Sequence, residues 1–130
     1  MIKVLTFIAT LMTVIGIAGA SYANPYLSDQ ESFQATIDYD FTQAPMRKIF
    51  EVPFSLLNEE GEPVLGAEIM VHGGMAAHGH GLPTSPVVET LANGNYVIRG
   101  LKLSMPGTWQ LYLMINAGGQ TDRIEIEFEY

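Results

Sequence analysis

From Phe33 onward, apolar and polar positions along this chain alternate with a period of two rather than 3.6, the pattern of strands that bury one face and solvate the other. The clearest case is the closing "RIEIEFEY", where Ile124, Ile126, Phe128 and Tyr130 alternate with Glu125, Glu127 and Glu129. "TWQLYLMIN" puts Trp109, Leu111, Leu113 and Ile115 on one face, with Trp109 as the central core aromatic. "IFEVPFSLL" does the same with Phe50, Val52, Phe54 and Leu56, although Pro53 cannot donate to a ladder and suggests an edge strand or a bulge. Turn signals separate the runs: "NEEGEP", "ANGN" and "NAGGQ", with Asn93-Gly94 suited to a tight hairpin because both residues tolerate positive φ. The spacing predicts seven strands over about 33–41, 47–57, 64–72, 86–92, 95–103, 108–117 and 121–130. That number of short strands in about a hundred residues predicts an all-β, immunoglobulin-like antiparallel β-sandwich. The preceding "NPYLSDQES", residues 24–32, reads as a loosely ordered polar lead-in.

Outside the first residues, no segment offers ten residues of helical period. Lys3 is followed by an uncharged, mostly apolar run from Val4 to Ala20, and Ser21 and Ala23 fit the small-residue site of a signal peptidase. Residues 1–23 therefore read as a cleaved secretory signal, the competing reading being an uncleaved anchor over residues 4–20. A membrane-spanning helix needs ~20 apolar residues, only slightly more than this run supplies. Either way the remainder, 33–130, is expected as one domain in the bacterial periplasm or outside the cell. Membrane attachment is expected only if the anchor is kept. The formal charge of −8 becomes about −9 once Lys3 is removed, which disfavours nucleic acid and anionic lipid as partners. Cysteine is absent, so disulfides, thiol nucleophiles, iron–sulfur clusters, c-type haem attachment and the thiolate ligand of a blue-copper site are all excluded.

Candidate chemistry collects in one place. The stretch "MVHGGMAAHGHGLPT", residues 70–84, holds all 3 histidines of the chain. If neighbouring strands run antiparallel, the first, third and fifth connections share one end of the sandwich. They carry Met46; Met75, His78 and His80; and Met105. His78 and His80 form an H-x-H pair, whose side chains point the same way in extended backbone, about 6–7 Å apart. Imidazole suits Zn, Cu and Ni, and thioether selects Cu(I) in particular. Met75, His78, His80 and Met105 are thus the candidate metal ligands, with copper, as Cu(I), the favoured ion. His72 and Met46 are possible additions to the set. His72 shares the outward face of its strand with Met70 and lies at the strand's end, near the loop.

The competing reading is a metal-free interaction or structural module. In it the glycine-rich loop is a recognition or packing element whose histidines are hydrogen-bonded, and the methionines are ordinary gap-fillers. Met105 has the parity of Leu101 and Leu103 and would then cap the core. No catalytic residue is assigned: G-x-S-x-G, H-E-x-x-H and P-loop motifs are missing. Glu68 and Glu89 have no spacing that marks a general base, and the glutamates of the last strand read as a solvated face. The chain therefore reads as a non-enzyme.

"GEPVLGA" at Gly61–Ala67, "MAAHGHG" at Met75–Gly81 and "LSMPGTW" at Leu103–Trp109 follow one another in an order that resembles the YtkA-like domain family of exported bacterial proteins. That family shows GxPVxGA, MPxHGHG-type and F-x-M-x-G-x-W segments. Here Ala76 replaces the family's proline and Leu103 its phenylalanine, changes that leave the candidate ligands in place. The resemblance implies an immunoglobulin-like sandwich, export, and copper handling near respiratory oxidases, with a copper-acceptor protein or an oxidase subunit as partner. Related FixH-type domains are membrane-anchored and assist oxidase assembly.

Overall fold

A computed structural model describes residues 23–130. The expected signal segment, save Ala23, lies outside the described residues. The alternating runs fold as strands: β2 (Phe33–Asp38), β3 (Phe50–Asn58), β4 (Glu68–Met75), β6 (Val87–Thr90), β7 (Asn95–Leu101), β8 (Thr108–Ala117) and β9 (Gln120–Glu129). Two short strands join them, β1 (Ala23–Leu27) and β5 (His80–Gly81). One sheet has the order β1-β2-β3-β7-β6 and the other β5-β4-β8-β9, with every pairing antiparallel. Without the two short strands the orders are β2-β3-β7-β6 and β4-β8-β9, the ABED and CFG sheets of an immunoglobulin constant-type sandwich. Among the described residues, no helix is long and apolar enough to cross a membrane.

The core lies where the two inner faces meet. Phe50, Val52, Phe54 and Leu56 of β3 are all buried, as are Trp109, Leu111, Leu113 and Ile115 of β8 and Ile124 and Ile126 of β9. Each run buries alternate residues because the pleat sends successive side chains to opposite faces. Tyr96, also buried, brings a hydroxyl into the core and satisfies it locally. It donates to the Val64 carbonyl (2.6 Å) and accepts from the Ala67 N–H (3.1 Å), tying the crossover between the sheets to β7.

The lead-in is structured, contrary to the expectation for 24–32. Ala23–Leu27 pairs with β2, from Ala23 opposite Asp38 to Leu27 opposite Gln34. The turn after it is clamped by Asp122, whose carboxylate accepts from the N–H groups of Gln30, Ser32 and Arg123. Ser28 Oγ accepts in turn from the Phe33 N–H at 2.9 Å.

Pro53 also departs from expectation. It sits in a central strand, not at an edge, and the register shift of β3 falls at Phe50/Glu51. The alternation explains the tolerance. Leu56 donates its N–H to Gly94 on the β7 side, so odd-numbered residues of β3 face β2. Pro53 therefore points its missing donor past Ile37↔Phe54, the last pair of the β2–β3 ladder. The hairpin expected at Asn93-Gly94 is present, with φ of 60° and 77°.

Candidate metal centre

The histidine loop begins with a backbone that only glycine can supply. Gly73 and Gly74, at the end of β4, have φ of 154° and 147°. A Cβ on Gly73 would lie 2.1 Å from the Gln110 carbonyl oxygen, and one on Gly74 2.1 Å from that of His80. Two neighbouring backbones thus press against this pair, β8 on one side and β5 on the other. Past Met75 the chain makes one 3-10 turn, Ala76–His78, and Gly79 closes it in the left-handed region at φ 64°. His80-Gly81 then doubles back as β5, with Met75 opposite His80 and Gly74 opposite Gly81.

This geometry changes how His78 and His80 meet. They are not two residues of one extended segment, because His78 ends the turn and Gly79 reverses the chain. Their rings nonetheless stack, with centroids 6.2 Å apart and planes 21° from parallel. Both side chains are exposed. His72 of β4 and His80 line one groove of about 270 Å³ together with Gly73, Gly74, Ala76 and, from β8, Gln110 and Tyr112. Gln110 braces the groove: its side-chain carbonyl accepts from the Ala76 N–H (3.4 Å) and its amide donates to Glu127 (3.2 Å).

The methionines divide. Met75 is 1% exposed, and its side chain belongs to the core. Its terminal methyl lies against Gly107, where a Cβ would come within 2.6 Å. Met105 is 37% exposed, so it does not cap the core as Leu101 and Leu103 do. Its carbonyl accepts the Trp109 indole N–H at 3.1 Å. Met46 is exposed on the first connection.

The predicted gathering of connections at one end holds. β2 and β3, β4 and β8, and β3 and β7 are paired so that residues 39–49, 76–86 and 102–107 emerge together. Arg47 ties the first connection to the third of these, its backbone N–H donating to Leu103 (3.0 Å) and its guanidinium to Ser104 (3.3 Å). What the connections do not form is a closed ligand cage. No cluster of three histidine, aspartate or glutamate side chains able to hold an ion occurs among the described residues. The pair His78–His80, with His72 across the groove, is the part of the candidate set that the fold brings together.

Gln110 and Tyr112 were not among the candidate residues. Their outward parity on β8 is legible in "TWQLYLMIN", but which strand lies beside them is not. The Gly73-Gly74 pair, just past the expected strand end at residue 72, was the available signal, since glycines within a strand mark a close backbone approach and β4 runs on through them.

A two-sheet antiparallel sandwich that presents a glycine-hinged histidine loop at one end defines the class of protein. More narrowly, residues 29–114 match the YtkA-like family, and the chain belongs to it. No curated protein and no solved structure gives a significant match.

Proposed function

We propose that this YtkA-like domain is an exported, non-enzymatic copper-binding or copper-carrier module of the bacterial cell envelope. The observation that supports this reading most directly is the His78–His80 pair, two solvent-facing imidazoles 6.2 Å apart on a loop whose backbone is set by glycine. Imidazole nitrogen approaches a transition-metal ion to ~2.0–2.1 Å, so modest ring rotations would let both side chains share one ion. His72, across the groove, is the nearest further imidazole. Met105 offers an accessible thioether from the neighbouring connection and tilts the preference toward Cu(I) over zinc or nickel. Met75, buried beneath the loop, would reach an ion only if its side chain left the core. An exposed, incomplete ligand set suits a carrier, because an acceptor protein such as an oxidase subunit can complete the coordination and take the ion.

The test is Cu(I) uptake by the purified protein in competition with a weak chelator, under anaerobic reducing conditions. Wild type is expected to compete successfully, and His78→Ala/His80→Ala to lose one bound equivalent. Equal and poor competition by both proteins would sink the copper reading. It would leave the metal-free interaction module, which the lack of a preformed three-residue cluster favours. Imidazole must be deprotonated to ligate, so copper affinity is also expected to fall on acidification.

A further inference from the structure

The outer face of the four-stranded sheet carries two thioethers that the loop reading does not use, beside His72. Met70 stands directly opposite Met114 in the β4–β8 ladder, and His72 opposite Tyr112 in the next outward row. All four side chains are on the solvent side. On β4 the inward residue between Met70 and His72 is Val71, and on β8 the inward neighbours are Leu111, Leu113 and Ile115. Met70 is 62% exposed, so its thioether fills no gap in the core.

We propose that Met70, Met114 and His72 form a second site, on the sheet face, for a soft, singly charged metal ion of the Cu(I) class. Directly opposed residues of an antiparallel pair have Cβ atoms ~4.5–5.5 Å apart, and diagonal neighbours ~7–8 Å apart. Residues two apart on one strand are separated by ~6–7 Å. Two flexible thioethers and one imidazole at the corners of such a triangle can close on one ion from above the sheet. The donor set selects its cargo. Thioether sulfur binds soft ions and gives hard, oxygen-seeking divalent ions little. Arg123 stands opposite Met114 on β9, with its guanidinium 5.2 Å from the Tyr112 ring centre, and its charge is balanced by Asp29 at 2.9 Å. Glu68 on β4 and Glu125, opposite Tyr112 on β9, share this face.

The site deepens the copper reading but does not depend on the loop, since two of its three ligands lie outside it. The experiment is Cu(I) titration of the whole protein under anaerobic reducing conditions, read by the methionine ε-methyl NMR resonances and by bound-copper stoichiometry. It compares wild type, His78→Ala/His80→Ala, Met70→Leu/Met114→Leu and the combined variant. Leucine keeps the volume of methionine, so folding is preserved. The Met70 and Met114 methyls are expected to shift in wild type and also when the loop histidines are gone. Met70→Leu/Met114→Leu is expected to lose a copper equivalent. Unmoved Met70 and Met114 methyls at saturating Cu(I), or uptake indifferent to Met70→Leu/Met114→Leu, would overturn the proposal while leaving the loop reading intact. Full retention of copper in His78→Ala/His80→Ala, with the methyls shifting, would sink the loop reading and leave this one standing.

Discussion

At the scale of single residues, this fold depends on a few backbone and hydroxyl groups with no substitute. Gly74 is one: with φ at 147° and the His80 carbonyl where a side chain would go, Gly74→Ala must push β5 away from β4. A loss of ~1–3 kcal/mol, the usual cost of a residue held in such a region, is expected in urea denaturation, with the His80 resonances moving most. An alanine variant as stable as wild type would contradict the close approach. Tyr96 is another. Tyr96→Phe removes a hydroxyl that serves both Val64 and Ala67, and should cost about 1–3 kcal/mol with no change in the sheets' circular dichroism. The first of these was present in the sequence as the Gly73-Gly74 pair, but with the strand expected to end at residue 72 the pair read as part of a loop. The sequence was silent about the second, because a tyrosine at an inward position reads as one more core aromatic until its hydroxyl's partners, about thirty residues upstream, are known.

Among elements, the connection between β1 and β2 rests on one carboxylate. Burial alone would raise the Asp122 pKa, but the Ser28 hydroxyl and the N–H groups of Arg123, Gln30 and Ser32 outweigh it and hold the carboxyl below its ordinary range. A group depressed in the folded state stabilises above its unfolded pKa and ceases to do so as pH falls through the folded value. Asp122 therefore contributes at neutral pH, and its contribution fades below about pH 4. Asp122→Asn is expected to be less stable than wild type at pH 7 and to approach it in acid; parallel stability–pH curves would refute this. The Arg99 pairs with Glu89 and Glu51 on the outer face are a contrast, being exposed and screened, and Arg99→Gln should change stability little. Period-two alternation was enough to find β2, β3, β8 and β9, because each has one buried and one wet face, while β6 and β7 were bounded by the turn signals around Asn93-Gly94. It could not find β1, whose "ANPYL" has little alternation and becomes a strand only by pairing with β2. Nor could it find β5, the two residues His80 and Gly81 just after Gly79, made extended by β4. Pro53 misled for a related reason: which of its neighbours stops short is a fact about β2.

For the whole molecule, counting strands located one end of the sandwich as the place where the three connections meet, and the register bears that out. Counting could not say how deep each side chain sits there, so Met75 and Met105 looked alike in sequence although one is core and the other faces solvent. That difference gives the molecule a line of mechanical communication. Met75 leads directly into the histidine loop, and its methyl bears on Gly107. Two residues before Gly107, the Met105 carbonyl receives the indole proton of Trp109, the chain's 1 tryptophan. A displacement of the loop is therefore expected to reach the hydrogen bond of the sole indole fluorophore. Metal binding at His78 and His80 should be readable, without any label, as a change in tryptophan emission that saturates with copper uptake. Met75→Ala, which removes the contact with Gly107, should weaken that optical response; emission that ignores bound copper would show that the loop moves independently of the core beneath it.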